Sequence, residues 1–333
     1  PSAMKAGDVI AVAPNGTNSY AVRSVPEVGG GMVVQNPMNG RVLAIQGGFD
    51  NRISSFNRAT QAQRQPGSTI KPFVYATALD NGMTPTSIIV DGPYCVWQGA
   101  SLGQKCFRNF TGNGAGPQTM RWGLEQSRNL MTVRLAREMG LDLIADYAER
   151  FGVYDHMDRF LANALGAQET TLYRVVSAYA MFANGGERVQ PTLIDRVQDR
   201  YGNTVYRHDQ RRCLDCGDAR LGEMLGPQIV SDRERVMDAI TAYQLTSMME
   251  GTITRGTAQG VIDLSVPVAG KTGTTNDARD VWFTGFTSNI VAGCYIGYDQ
   301  PRSLAKGSYG GSMCGPVFQT FMTEAIEVFG GGD

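Results

Sequence analysis

Ser68 and Lys71 stand three positions apart in Gln65-Pro66-Gly67-Ser68-Thr69-Ile70-Lys71-Pro72-Phe73. Positions i and i+3 share one face of a helix, which brings the lysine amine within reach of the serine hydroxyl. A serine is a weak nucleophile until a neighbouring base takes its proton. Lysine can be that base if its pKa is lowered by burial, a helix N-terminus or a second cation. A helix-capping serine beside a surface lysine would have the same spacing. About one Ser-x-x-Lys arises by chance in a chain of this size, so the pair decides nothing alone.

Two further clusters follow. Ser127-Arg128-Asn129 falls between two helical stretches, where a Ser and an Asn two apart in a bend can face one cleft. A helix-junction cap would look alike, and this triplet too arises about once by chance. The third cluster, Gly270-Lys271-Thr272-Gly273-Thr274-Thr275, is rarer: Lys-Thr-Gly-Thr is expected in well under ~1% of comparable chains. In a strand, Lys271 and Gly273 share one face and Thr272 and Thr274 the other. Gly273 leaves space for another chain or a ligand to approach. A phosphate-binding loop is the competing reading of Gly-Lys-Thr, but it needs a glycine where Ser265 stands and a helix afterwards, and a strand follows here. The two histidines, His156 and His208, lie in polar stretches and read as solvent-facing, against a Ser-His-Asp triad.

The elements that must position these residues can be read around them. Pro66-Gly67 breaks the preceding structure, Ser68 can cap, and Pro72 is tolerable only in a first turn, so a helix starts near Ser68 and ends at Asn81-Gly82. Residues 117–184 read as helices: Met120 to Asn129, Leu130 to Met139, Leu141 to Phe151 and Leu172 to Asn184. Further helices are expected from about Val236 to Met249 and from Val317 to Phe329. Met32–Gln35 and Arg41–Ile45 flank Asn39-Gly40, a hairpin signal. Tyr201-Gly202-Asn203 marks a second hairpin, and Val281–Phe286 and Ile290–Tyr298 read as adjacent strands. Strands at both ends around a helical middle predict an α+β layer fold whose sheet joins distant segments. Residues 1–30 read as short strands of a small β module, with the main domain over 31–333.

Composition narrows the function. With 42% hydrophobic residues the chain can bury a large core, and a net charge of −1 with dispersed Lys and Arg points away from nucleic acid. No apolar stretch approaches the roughly 18 residues of a membrane span. The start, Pro1-Ser2-Ala3-Met4, reads as an internal piece of something longer. Of six cysteines, Cys95 and Cys106 flank a short polar stretch as a closed hairpin would. Cys213 and Cys216 read as a local disulfide in a solvated loop containing Asp215 and Asp218, ahead of a metal or redox site. An even number in pairable positions fits an oxidising compartment. Neither a metal nor a cofactor is expected.

Ser-x-x-Lys, Ser-x-Asn and Lys-Thr-Gly, in this order, are the motif set of penicillin-binding proteins and serine β-lactamases. The chain resembles the transpeptidase domain of class A, bifunctional penicillin-binding proteins, and most closely the 1A type. The likeness extends to Phe56–Ala62 and Arg64–Ser68, to Gly251–Ala258, to Lys271–Asp277 running into Arg279–Phe283, and to Gly297-Tyr298-Asp299. It implies the penicillin-binding and serine β-lactamase-like fold, a central antiparallel sheet with helices on both faces plus an all-helical subdomain. Residues 1–30 would then be the remnant of a small β linker module.

The resemblance also implies roles. Ser68 would attack the carbonyl between the terminal D-alanines of a peptidoglycan stem peptide, and Lys71 would take its proton. Ser127 would relay a proton to the leaving D-alanine, and Asn129 would bond Lys71 and the substrate amide. Lys271, Thr272 and Thr274 would hold the terminal carboxylate beside Gly273. The oxyanion would sit between the backbone N–H groups of Ser68 and Thr274. An amine acceptor would complete the cross-link, and β-lactam antibiotics would mimic the donor. A glycosyltransferase domain and an inner-membrane anchor are implied for the full-length protein, with this domain in the periplasm. A β-lactamase needs a Glu with Asn four residues on, and none of Glu138, Glu149, Glu169, Glu187, Glu223, Glu234 and Glu250 has one. A D,D-carboxypeptidase differs only in the acceptor, and a β-lactam sensor domain would usually be shorter.

Overall fold

All seven residues of Asp280–Phe286 are buried, because strand alternation sends them into two different cores. Trp282 and Phe286 join Val33, Val291 and Tyr295 in the larger cluster, while Phe283 joins Val34, Ala292 and Phe318 in the smaller. Trp282 stacks on Tyr295 at 5.1 Å, and Phe283 meets Phe318 edge-on at 4.7 Å. A strand buried on both faces belongs inside a sheet covered on both sides, and the computed structural model has that arrangement. It describes the chain apart from residues 1–3, 25, 98, 102, 217–227 and 333, so the readings at Asp218 and Glu223 lie outside the described residues.

The sheet comprises β1 (Val28–Gln35), β2 (Val42–Gln46), β3 (Ala269–Thr274), β4 (Asp280–Phe286) and β5 (Val291–Tyr298). Its order is β3-β4-β5-β1-β2, antiparallel throughout, so strands from both ends of the chain meet where β5 pairs with β1. The hairpin read at Asn39-Gly40 is the β1–β2 turn; Asn36 Oδ1 accepts from the Met38 and Asn39 amides, and Gly40 takes φ +77°.

Seven helices are described: α1 (Lys71–Asp80), α2 (Met120–Glu125), α3 (Asn129–Met139), α4 (Leu141–Arg150), α5 (Leu172–Ala183), α6 (Ala239–Thr254) and α7 (Gly310–Phe329). Helix α5 lies so close to the sheet that a methyl on Gly293 would strike Val176. Helix α7 covers the opposite face through Phe318 and Met322. Helices α1, α4 and α5 share an aromatic cluster in which Phe73 lies 4.8 Å from Phe182 and 5.6 Å from Phe151.

Several boundaries differ from the sequence reading. Helix α7 begins seven residues before Val317, because Ser312 Oγ, accepting from Tyr309 N at 3.0 Å, secures a first turn that Gly310-Gly311 disfavours by propensity. The stretch from Met120 to Asn129 is helical only to Glu125, broken by Ser127 at φ +54°. Helix α6 starts at Ala239, where the Asp238 side chain caps it, and continues to Thr254. Near the start of the chain, Ala11–Pro14 and Tyr20–Arg23 form a separate exposed hairpin. The cysteines pair as Cys95–Cys106, Cys213–Cys216 and Cys294–Cys314, the last joining β5 to α7 within the smaller core.

Candidate active site

Helix α1 is buried from Lys71 to Leu79. A helix apolar on nearly all sides belongs in a core, and Lys71 is the cation it carries there, with zero exposure. A buried amine must be hydrogen-bonded to be tolerated. Lys71 Nζ donates to Ser127 O at 2.6 Å and to Asn129 Oδ1 at 2.7 Å, with Ser127 Oγ at 3.3 Å. The left-handed Ser127 between α2 and α3 turns its carbonyl and hydroxyl together toward that amine. Asn129 opens α3 and is braced from the other side, its Nδ2 donating to Arg108 O at 2.9 Å.

Ser68 sits in the 3-10 turn Gly67–Ile70 that runs directly into α1. The capping reading of Ser68 is corrected: Pro66 occupies the cap position without a side-chain bond, and no hydrogen bond of Ser68 Oγ occurs among the described residues. The half-buried hydroxyl is left free at the cleft. The turn beneath it is fixed by others: Tyr179 OH donates to Thr69 O at 2.7 Å, Thr69 Oγ1 to Pro66 O at 2.8 Å, and Gly67 N to Gly166 O at 3.2 Å. Arg64, just upstream, is anchored to the sheet through the buried Asp280 carboxylate at 2.5 Å and Tyr298 O at 2.8 Å.

Burial drives the pKa of Lys71 well below that of an ordinary lysine. The positive charges of Lys271 and Arg128 lower it further, and Asp91 opposes them. Lys271 is fully buried on β3 and brought down to about 7 by that burial. Its Nζ donates to Thr272 O at 3.1 Å. Two buried amines that repel one another favour a neutral state for one of them.

Strand β3 is an edge of the sheet, and its open side runs along the cleft. The alternation expected from the sequence is realised: Thr272 and Thr274 line the cleft while Lys271 is enclosed. Gly273 presses against the Ser68 turn. A methyl on Gly273 would lie 2.6 Å from Pro66 O and 3.0 Å from Trp282 Cβ. Backbone cannot step aside there, so Gly273→Ala should cost about 1–3 kcal/mol and slow any reaction at Ser68. Denaturant unfolding measures the first effect; an unshifted midpoint would show that strand and turn do not press on each other. Gly67, at φ +53°, lies so near β3 that a methyl on it would be 3.0 Å from Thr274 O and 3.2 Å from Thr274 N. The backbones of residues 67–68 and 274 therefore abut.

Two recesses of about 420 and 280 Å³ meet at Ser68, Asn129 and Thr274. The larger also holds Ser127, Thr257 and Thr272. Thr257 was not singled out from the sequence: its Oγ1 lies 2.6 Å from Thr272 Oγ1, adding a third hydroxyl to the row. Its loop is held by buried Glu125, which accepts two bonds from Arg255 and, through its carbonyl, one from Thr257 N. No spacing rule in the sequence joins Glu125 to Arg255; only the fold does. Arg108 and Phe107 complete the walls. Neither histidine lines either of these two recesses. His156 is exposed as expected, whereas His208 is half-buried, 3.1 Å from Gln190 O and 3.2 Å from Tyr206 OH.

This arrangement matches known proteins. The penicillin binding protein transpeptidase domain model matches residues 30–323. Penicillin-binding protein 1A of Rickettsia prowazekii is 45% identical over 326 residues, 97% of this chain and 41% of that protein. Its counterpart in Neisseria gonorrhoeae is 36% identical over 97% of this chain and 39% of its own length. The chain thus spans about two fifths of these relatives. The crystal structure of penicillin-binding protein 1A from Haemophilus influenzae superposes with a TM-score of 0.83 at 30% identity, covering 97% of this chain and 51% of that one. On the sequence match and on the fold, the chain belongs to the penicillin-binding protein transpeptidase family.

Proposed function

We propose that this domain is a serine D,D-transpeptidase that cross-links peptidoglycan stem peptides and is trapped by β-lactams. The observation that carries the reading is the convergence of all three motifs on one cleft, with buried Lys71 bonded to Ser127 and Asn129 beside a free Ser68 hydroxyl.

The chemistry follows from the geometry. Neutral Lys71 donates its two protons to Ser127 O and Asn129 Oδ1, leaving its lone pair to accept the Ser68 proton. Ser68 Oγ attacks the carbonyl between the terminal D-alanines. The oxyanion forms between the backbone N–H groups of Ser68 and Thr274, a contribution of a few kcal/mol when such donors are preorganised. Ser127 Oγ passes its proton to the amine of the departing D-alanine as the C–N bond breaks and takes in exchange the proton held by Lys71, 3.3 Å away, leaving an ester on Ser68 and Lys71 neutral again. The acceptor amine then attacks that ester, forms the new amide and returns the proton to the serine oxygen. The open edge of β3 receives the donor as an extended strand, and the hydroxyls of Thr272, Thr274 and Thr257, with Lys271 behind them, hold its terminal carboxylate. In a β-lactam the broken C–N bond stays tethered within the inhibitor, so the ester persists.

Among the described residues lining the two recesses, the one carboxylate is Asp277, exposed and 3.5 Å from Arg279. A poised Glu for activating water is therefore not among those lining residues, which favours aminolysis over rapid β-lactam hydrolysis. No described helix is long and apolar enough to cross a membrane. We place the domain in the periplasm, where its three disulfides would persist. A glycosyltransferase domain and membrane anchor belong to the full-length protein by the same reading.

The test supplies a stem peptide ending in D-Ala-D-Ala together with an amine-bearing acceptor peptide, and follows products by mass spectrometry. Release of D-alanine with formation of the donor–acceptor amide is expected. Hydrolysed donor without any amide would make the domain a carboxypeptidase, and turnover of penicillin within minutes would make it a lactamase.

A further inference from the structure

The middle residue of Ser127-Arg128-Asn129 lines the same recess as its two neighbours and ties the bend to a buried carboxylate. Arg128 Nε donates to Asp91 Oδ2 at 2.8 Å, and its Nη2 lies 2.7 Å from the same oxygen. Asp91 has zero exposure and is saturated: Asn109 Nδ2 donates to its Oδ1 at 2.8 Å and Ala115 N to its Oδ2 at 2.9 Å. Arg128 also reaches Thr111 Oγ1 at 3.1 Å and the Asn113 carbonyl. Asn109 Oδ1 in turn accepts from Leu130 N, the second residue of α3. The bend is thus held at two points, by Lys71 at Ser127 and Asn129 and by Asp91 at Arg128.

We propose that Asp91 is a positioning residue for acyl transfer. Through Arg128 it holds the 127–129 bend so that Ser127 O and Asn129 Oδ1 meet Lys71, and it supplies the negative charge that faces this group of cations.

Asp91 acts on the site in two ways. The first is geometric. Ser127 is a non-glycine residue at φ +54°, a conformation that persists only where its surroundings enforce it. Among those surroundings, the buried ion pair between Arg128 and Asp91 is the contact that a one-atom substitution can weaken. The second is electrostatic. The charged groups acting on Lys71 are Lys271 from β3, Arg128 from the bend and Asp91 from the strand Ile88–Asp91, and only the last is an anion. Without it no anion offsets the positive charges that disfavour protonation of Lys71.

The inference rests on Ser68 as the acylated residue, and the test separates the two. Penicillin acylation of this chain is followed by stopped flow across pH, resolving the acylation rate constant from the dissociation constant. Absence of any wild-type adduct, or an adduct retained by Ser68→Ala, removes the underlying reading. Asp91→Asn keeps shape but loses charge and an acceptor. Its acylation rate constant should fall between about tenfold and a hundredfold, with the dissociation constant unchanged and the acid limb displaced to lower pH. Adding Arg128→Gln to Asp91→Asn removes the opposite charge too, and should return the limb toward its wild-type position. A merely structural role for Asp91 would give no such return. A folded Asp91→Asn protein with wild-type rate and an unmoved limb overturns the proposal. Should Asp91→Asn not fold, Arg128→Lys retains the cation without the guanidinium's set of donors to Asp91, Thr111 and Asn113; a wild-type rate in that variant overturns it equally.

Discussion

Replacing Ser68 with alanine will abolish the covalent adduct with a fluorescent penicillin and leave the fold intact. The hydroxyl makes no hydrogen bond among the described residues and is half-buried, so its removal strands no partner. The turn beneath it is held by Tyr179, Thr69 and Gly166, none of which touches the lost atom. Stability should therefore change by less than about 0.5 kcal/mol. Covalent labelling should fall by roughly 10⁴-fold or more, as it does where a nucleophile is deleted from a working constellation. Gel fluorescence after labelling, alongside a melting curve, checks both halves. A retained band in the alanine variant would move the nucleophile to another residue.

Lys71→Met should slow acylation by about 10²–10⁴-fold, the usual contribution of a positioned base. Methionine fills much of the same volume, so the loss would reflect the amine and not a cavity. The pH dependence carries the sharper signature. In the wild type, acylation needs neutral Lys71, so the rate should fall tenfold per unit below the lysine's folded pKa, which lies well under the ordinary 10.5. The same shift is a stability statement. Between the folded and unfolded pKa values the unfolded chain binds more protons, so stability rises with pH across that window. Lys271 behaves alike between about 7 and 10.5. Each lysine adds up to about 1.4 kcal/mol per pH unit there. The Lys71→Met protein should lose its share of that slope in denaturant melts taken at successive pH values. A variant that acylates normally would end the assignment of Lys71 as base.

The residues of the site were legible in the sequence, and much of what positions them was not. Ser68, Lys71, Ser127, Asn129 and the Lys271–Thr274 strand were proposed from three motifs in a known order and the resemblance they carry, and the fold brings them to one cleft. Pro72 in the first turn and Asn81-Gly82 at the end bounded α1 correctly. What escaped were tertiary partners. Lys71 is held chiefly by a backbone carbonyl, Ser127 O, and no residue type advertises that. Asp91 and Glu125 lie 37 and 130 positions from the arginines they bind, beyond any periodicity. The start of α7 was missed because capping by the Ser312 side chain outweighs the low propensity of paired glycines. Local chemistry wrote the motifs, and long-range burial decided their supports.

The open edge of β3 has a consequence for self-association. An unpaired strand edge is a template for the edge of another molecule, which is how sheets propagate into aggregates. A cleft that admits an extended peptide cannot close that edge without losing its use. Here the strand is only six residues long, five of them buried, and it lies within a walled recess. A single flexible peptide can reach such an edge, but the rim of a second folded sheet is too thick to enter. The recess that orients a substrate therefore also keeps neighbouring copies from polymerising edge to edge.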